Sequence, residues 1–312
     1  MIFFEKFLFS DTNILVTSGR FQRSTELIDM KESKNGDFGP DLPVDGRWGV
    51  GGVIDYTPIV CSMSYQRGCC SILETGCLIM SDGEWKEGPK MQILRGGAAG
   101  VVVGNKLWVT GGDSESGREV STELISLDGS EPFVDLPEPM AHHCLKMINE
   151  TTAFLTDFND NYYFFDMNTK VWSEKFDLPA GFSRSDVLMG DDLCSTFEFK
   201  ESPVVVLAAG NKDRNGISLL HLDNMADGWI SGPNLPTSPN YSFSMLTTPS
   251  KDGVLKMGGI GGKGWETFDS IWKLTCQETL NNCSWEEQPS KMLLPKFNYL
   301  AFWLPNSFCP AG

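Results

Sequence analysis

The chain has 312 residues and a formal net charge of −16, with 25 Lys and Arg residues against 41 Asp and Glu residues. This acidic balance argues against binding to nucleic acid, whose backbone requires clustered cations, and against binding to anionic membrane surfaces. No apolar run approaches the length of a membrane span, so we expect no membrane insertion. A basic partner, or one that tolerates an acidic surface, is the better expectation, although the acidity also simply keeps a large β protein in solution.

Six units of similar pattern follow one another along the chain. The clearest spans 105–140, where the apolar run LWVTGG predicts a buried strand that ends in a sharp turn. A polar loop follows it, then the alternating segment STELISL, which predicts a half-exposed strand, and then the proline-containing turn DLPEPM. The equivalent apolar runs end at Gly19, Met63, Gly112, Phe158, Gly210 and Gly259. Successive ends are separated by 44, 49, 46, 52 and 49 residues.

Aromatic residues mark the second half of each unit, a few residues before a proline-containing turn. They are Phe38, Trp85, Phe133, Trp172, Trp229 and Trp285. A period of about 50 residues with four short strands per unit is typical of kelch repeats, and on these residues the chain resembles the kelch family. Because one four-stranded unit cannot bury both of its faces alone, we expect residues 1–312 to form a single domain of six repeats, each of about 48 residues.

The first and last strands complete one another in this pattern. The first unit lacks its own innermost strand, whereas KFNYLAFWLP at 296–305 is an extra innermost strand after the sixth unit. Pairing the two closes the ring and removes the free sheet edges of an open array. We therefore predict an all-β fold, a six-bladed kelch-type β-propeller closed by the C-terminal strand joining the first blade.

The nine cysteines are scattered and form no CxxC motif, so a zinc ribbon or a redox motif has little support. Cys276 and Cys283 lie at facing ends of a predicted hairpin, within reach of a disulfide if the compartment is oxidising. This segment also resembles secreted kelch-repeat proteins of invertebrates. We expect an extracellular protein, with a cytoplasmic location as the alternative. Glycosylation sequons begin at Asn149, Asn240 and Asn282.

Three other patterns resemble sites of chemistry but do not fit them. GGIGGKG at 258–264 contains GxGxxG, yet a strand rather than a helix follows it. His142 and His143 would point to opposite faces of a strand, so they do not suit one metal ion. The acidic loops at 111–119 and 157–161 lack the spacing of a known calcium loop. The resemblance also does not extend to the copper site of galactose-oxidase-like kelch enzymes, whose ligands have no match here.

We therefore predict a module that recognises a protein partner through loops on one face of the propeller, without a cofactor, a metal or enzymatic activity, and as a monomer. The alternative is a carbohydrate-active enzyme or a lectin-like binder acting at the mouth of the ring. The loops after the second strand of each blade should leave the same end, and they supply the arginine and aromatic residues that interfaces favour. The predicted partner-binding residues are Arg20, Phe21, Arg23, Tyr65, Arg67, Arg118, Arg214, Lys263 and Trp265.

Overall fold

The computed structural model describes residues 9–19, 22–31, 37–46, 49–63, 76–156, 161–179, 193–208, 216–237, 240–261 and 266–305. Its strands form small antiparallel sheets that are arranged as the six blades of a β-propeller. This arrangement confirms the predicted all-β fold class. We name the four strands of each blade A to D from the propeller axis outward.

The first three blades have the following strands. Blade 1 consists of β1 (Phe9–Thr17), β2 (Thr25–Asp29) and β3 (Asp37–Phe38) as strands B to D, with β30 (Leu300–Pro305) as strand A. Blade 2 consists of β4 (Val50–Ile54), β5 (Thr57–Cys61), β6 (Cys77–Ser81) and β7 (Glu84–Glu87). Blade 3 consists of β8 (Ala99–Val103), β9 (Lys106–Thr110), β12 (Thr122–Ser126) and β13 (Gly129–Pro132), with a small hairpin of β10 (Asp113–Ser114) and β11 (Gly117–Arg118).

The other three blades follow the same order. Blade 4 consists of β14 (Cys144–Met147), β15 (Thr152–Thr156), β16 (Asn161–Asp166) and β17 (Val171–Trp172), with β18 (Phe176–Asp177) also paired to β16. Blade 5 consists of β19 (Cys194–Phe199), β20 (Ser202–Ala208), β21 (Ile217–His221) and β22 (Trp229–Ser231), and a 3-10 helix, Leu222–Asp227, joins the last two. Blade 6 consists of β24 (Ser244–Thr247), β25 (Val254–Met257), β28 (Ser270–Cys276) and β29 (Cys283–Lys291). A small sheet beside blade 6 contains β23 (Asn240–Tyr241), β26 (Ile260–Gly261) and β27 (Glu266–Thr267).

The C-terminal strand closes the ring as predicted. β30 pairs antiparallel with β1, with Ile14 opposite Trp303 and Thr17 opposite Leu300. The A strands contact one another in the order β30, β4, β8, β14, β19, β24 and back to β30. The last strand of the chain is therefore an inner strand of the first blade, and the two ends of the chain are held in one sheet.

Apolar side chains fill the seams between neighbouring blades. Leu15, Val60 and Leu300 pack together between blades 1 and 2, and Trp108 and Leu155 pack between blades 3 and 4. The B strands are nearly continuous buried runs because both of their faces meet a neighbouring blade. Strands C of blades 1 to 3 share one pattern, in which the first, second and fourth residues are buried and the third and fifth are half-buried. Strand C is therefore less completely buried than strand B.

The predicted aromatic markers lie in or next to the D strands, but they differ in burial. Trp85 is 8% exposed and packs in the seam between blades 1 and 2. Phe133 lies directly after β13 and meets Trp108 edge-on, with ring centroids 5.4 Å apart. Phe38, in contrast, is 62% exposed. The repeat pattern therefore placed Phe38 on the correct strand, although its side chain does not pack as the tryptophans do.

Candidate functional site

The strand order gives the two ends of the propeller different characters. Because each blade runs from A to D, the A–B and C–D connections share one end of the ring, and the B–C and D–A connections share the other. The first, which we call the turn end, includes two-residue turns such as Asp55–Tyr56 and Lys200–Glu201. The second, which we call the loop end, carries the B–C loops that were predicted to bind a partner.

A repeated backbone turn directs the B–C loops. The residue after strand B has a positive φ in each of the four blades where the structure describes it, with 63° at Ser18, 60° at Ser62, 56° at Gly111 and 51° at Gly258. At Gly111 a Cβ atom would lie 2.4 Å from the carbonyl oxygen of Met140, so only glycine fits there. The predicted alignment of the strand ends is therefore confirmed in blades 1, 2, 3 and 6.

In blades 1 and 3, a buried cation ties together the two ends of the B–C loop. Lys296 Nζ donates to the carbonyl oxygens of Ser18, at 3.5 Å, and Ser24, at 3.2 Å. Arg95 Nη1 donates to the corresponding carbonyls of Gly111, at 3.1 Å, and Ser121, at 2.6 Å. The B–C loops of these two blades therefore start and finish at fixed points.

Each of these cations faces a buried carboxylate. Lys296 lies 3.5 Å from Glu26, and Arg95 lies 3.0 Å from Glu123, with all four side chains at most 2% exposed. Burial lowers the pKa of Arg95 and of Lys296, and the adjacent carboxylate opposes this shift because it stabilises the charged form. Each pair is therefore a compensated buried charge.

Blade 6 has a buried cation that pairs with no carboxylate among the described residues. Lys256 on β25 is fully buried, and its Nζ donates to the carbonyl oxygen of Gly258 at 2.8 Å and to Thr237 Oγ1 at 3.2 Å. The rings of Phe243 and Phe268 lie 5.4 and 5.8 Å from the ammonium. Burial lowers the pKa of Lys256 to about 7.

In the part of the loop end that the structure describes, two hairpins extend from opposite sides of the ring. β10 pairs with β11 above blade 3, and β26 pairs with β27 and β23 beside blade 6. Blades 3 and 6 are three places apart in a ring of six and therefore face each other across the axis. Asp113 also bridges to Gly96 in the preceding D–A link, which fixes the base of the first hairpin. Side chains reinforce it, because Ser114 and Ser121 both donate to Glu119.

The structure describes two of the nine predicted partner-binding residues. Arg23 is exposed in the B–C loop of blade 1, and its Nη1 donates to the carbonyl oxygen of Pro43 at 3.3 Å. Arg118 is exposed on β11, with Nε 3.7 Å from Asp113 Oδ1. Both lie at the loop end, in different blades. The other seven, Arg20, Phe21, Tyr65, Arg67, Arg214, Lys263 and Trp265, lie outside the described residues.

The described residues form three disulfides, and one of them was predicted. Cys276 and Cys283 are bonded as cross-strand partners of β28 and β29, which confirms the predicted pair. Cys61 is bonded to Cys77 at the base of the B–C loop of blade 2. The third bond, Cys144–Cys194, joins the A strands of blades 4 and 5. Such bonds indicate an oxidising environment.

The glycosylation sequons lie at both ends. Asn149 is exposed in the A–B connection of blade 4, and its Oδ1 accepts hydrogen bonds from the backbone N–H and the hydroxyl of Thr151. Asn282 is exposed in the C–D connection of blade 6. Both positions belong to the turn end, whereas Asn240 lies on β23 at the loop end.

The described part of the chain contains neither a clustered metal site nor a helix that could span a membrane. No group of three or more His, Cys, Asp or Glu side chains is arranged there to hold a metal ion. No helix among the described residues is both long enough and apolar enough to cross a bilayer.

Comparison with known proteins identifies the fold but not a family. No protein-family model matches the chain, and no curated protein matches it in sequence. A solved structure titled "Structure of YjhT" superposes with a TM-score of 0.65, over 88% of this chain and 94% of that chain, at 13% sequence identity. At this identity the likeness shows the propeller fold alone, and membership of the kelch family stays a prediction.

Proposed function

We propose that this propeller is a recognition module whose loop end binds a protein partner. The observation that carries the proposal is the pair of hairpins that rise from blades 3 and 6 at that end, one of them bearing exposed Arg118. Propellers commonly serve in binding, and loops held by a rigid scaffold are where binding residues concentrate. The buried cations fix both ends of the B–C loops in blades 1 and 3. A loop that is already fixed loses little conformational entropy when it binds, so this anchoring favours a higher affinity for the partner.

The net charge of the chain indicates which kind of partner the module binds, and its disulfides indicate the compartment in which it acts. A chain with net charge −16 favours a basic partner through long-range attraction. The disulfides support an extracellular location for the module, which we expect to act as a monomer. Glycans at Asn149 and Asn282 would extend from the turn end and leave the blade 3 hairpin and Arg23 accessible, whereas a glycan at Asn240 on β23 would lie at the loop end beside β26.

The test is affinity capture of partners from the native source, comparing matched variants of the purified chain. We expect Arg23→Ala combined with Arg118→Ala to weaken capture, and the triple change of Arg67, Arg214 and Trp265 to alanine to abolish it. The control is Lys170→Asn combined with Lys200→Asn. It removes two positive charges from the turn end, at positions whose φ values of 57° and 52° asparagine tolerates.

The results of these captures show which end of the ring binds the partner. Loss of capture in the arginine variants but not in the control, with unchanged melting temperatures, supports the loop end. Capture that survives the triple change in a folded chain would move the binding surface to the turn end.

The alternative function is a carbohydrate-active enzyme or a lectin-like binder. It is tested separately by metal analysis and by a sugar-oxidation assay, and turnover of a sugar would replace the proposal of protein recognition.

A further inference from the structure

A cavity of about 680 Å³ follows the propeller axis. Its walls come from the A strands β4, β8, β14, β24 and β30. Within the described residues, each A strand is hydrogen-bonded to its B strand on one side, so its other edge faces the axis with backbone N–H and C=O groups available. The volume lies within the range of small-molecule sites, which is about 300–1,000 Å³.

The walls of this cavity are mostly small and apolar. Gly51, Gly52 and Gly100 contribute backbone without a side chain, and neighbouring valines such as Val50 and Val101 contribute hydrocarbon. A Cβ atom at Gly51 would collide with Leu300, and one at Gly52 would collide with Val102, so glycine at these positions allows neighbouring A strands to pack closely around the axis. The cavity therefore offers hydrogen-bonding backbone next to an apolar surface.

One aromatic side chain is fixed in the wall. Trp303 on β30 is half-buried, and its Nε1 donates to the carbonyl oxygen of Thr247 on β24 at 2.8 Å. This bond joins the A strands of blades 1 and 6. Thr247 is itself held, because its hydroxyl donates to the carbonyl oxygen of Thr196 at 2.6 Å. The indole is thus a preorganised flat surface rather than a mobile side chain.

Among the described residues that line the cavity, the charged ones are two lysines. Lys146 lies on β14, and Lys251 lies in the A–B connection of blade 6, so both are near the turn end. In a chain with 41 acidic and 25 basic residues, a lining whose charges are all positive is contrary to the overall composition.

Lys251 already interacts with one carboxylate, but that interaction can be exchanged. Its Nζ lies 2.9 Å from Glu198 Oε1, with side-chain exposures of 55% and 43%. Ion pairs that are exposed to this degree contribute little to stability because water screens the two charges. The ammonium can therefore turn to a second carboxylate at little cost.

From these features we propose that the axial cavity binds a small organic anion. Its acidic group meets Lys146 and Lys251 near the turn end, and its apolar part lies against Trp303 and the valine walls. The cavity runs along the A strands from Gly49, before β4, to the A–B connections of blades 3 and 6 at Gly104 and Pro249, and both lysines lie at the turn end of it. The inference is independent of the proposed recognition of a protein at the loop end.

The test uses three probes with one apolar body and different charge: phenylbutyrate, phenylbutanol and phenylbutylamine. Binding to the full chain is measured by isothermal titration calorimetry. We expect phenylbutyrate to bind once per chain, at least about tenfold more tightly than the alcohol, which corresponds to an ion-pair contribution of about 1.4 kcal/mol. We expect the amine to bind more weakly still.

Matched variants locate the charge that is responsible. Lys146→Gln combined with Lys251→Gln should weaken phenylbutyrate binding by about tenfold or more. Lys90→Gln combined with Lys175→Gln changes the net charge equally at exposed positions and should have no effect. Equal affinity for the three probes, no binding of phenylbutyrate, or equal weakening in both double variants would overturn the proposal.

Photolabelling places the probe in the structure. A diazirine-bearing benzoate should label peptides that contain 244–251 and 300–305 when it is irradiated with the chain, and excess phenylbutyrate should suppress the labelling. Label confined to strands B to D or to the hairpins of the loop end would show that the probe does not occupy the axial cavity. The arginine variants of the loop end should label normally, so failure of this site and failure of loop-end recognition are distinguishable.

Discussion

Lys296 Nζ and Glu26 Oε1 lie 3.5 Å apart with both side chains fully buried, although the two residues come from opposite ends of the chain. Glu26 also accepts the backbone N–H groups of Leu293 and Leu294, at 2.7 and 3.3 Å. The segment that leads into the last strand is therefore attached to blade 1 before β30 begins. Ring closure thus depends on a polar attachment as well as on strand pairing.

Removal of the closing strand should abolish cooperative folding. Deletion from Lys296 onward removes β30 and its buried side chains Leu300, Phe302 and Leu304. Each contributes roughly 1.5–3 kcal/mol, so the loss approaches the whole stability of a typical domain, about 5–15 kcal/mol. Thermal unfolding followed by circular dichroism is the measurement. A chain that ends at Pro305 is the control, and a truncated chain that melts within a degree or two of the full chain would contradict closure by β30.

The buried pair should be more costly to break than to replace. Lys296→Met leaves the Glu26 carboxylate buried without its cation, and we expect a loss of about 3–5 kcal/mol in the free energy of unfolding. Lys296→Met combined with Glu26→Gln should lose less, because no uncompensated charge remains. Chemical denaturation of both variants gives the comparison. If the double variant is the less stable of the two, the pair does not act as a compensated charge.

Lys256 should make stability depend on pH. Burial lowers its pKa from 10.5 to about 7, so between these values the unfolded chain holds a proton that the folded chain has lost. The free energy of unfolding should therefore rise with pH across this window, and the penalty is complete below pH 7, where both states are protonated.

Substitution of Lys256 by methionine tests this dependence. The variant should flatten the rise in unfolding free energy between about pH 7 and pH 9, measured by urea denaturation at constant ionic strength. Lys90→Met, at an exposed position, is the control and should keep the wild-type slope. An unchanged slope in the Lys256 variant would assign the dependence to other groups.

The repeat pattern was sufficient to predict the blades and their closure. The repeat pattern consists of apolar strands at regular spacing, and these strands recur because equivalent strands of the blades are buried in a similar way. The Cys276–Cys283 bond was also predictable, because a hairpin places its ends together. Cys144 and Cys194 are different. Their contact depends on how the A strands of two blades lie side by side, and no local pattern encodes that relation.

The residues of the two buried ion pairs recur at equivalent sequence positions of blades 1 and 3, and the prediction of the repeats did not consider this recurrence. The segment STEL occurs at both 24–27 and 121–124, and a basic residue precedes the A strand by four positions in the same two blades.

The burial of Lys256 could not be predicted from a recurrence of this kind. Strand pairing puts Trp272 opposite it, whereas Glu26 and Glu123 lie opposite valines in blades 1 and 3. A lysine within a short strand is usually a solvent-facing residue, so its burial became apparent only from the packing of blades 5 and 6.

The three disulfides should contribute unequally to stability. Loop-closure entropy grows with the number of residues that a bond encloses, and the sequence separations are 50 for Cys144–Cys194 and 7 for Cys276–Cys283. The chain-entropy relation then gives about 4 kcal/mol for the first bond and about 2.4 kcal/mol for the second. We expect Cys144→Ala combined with Cys194→Ala to lower the melting temperature more than the corresponding change at Cys276 and Cys283. Non-reducing peptide mapping of protein from its native source must first find both bonds, and free thiols at either pair would contradict that pairing directly.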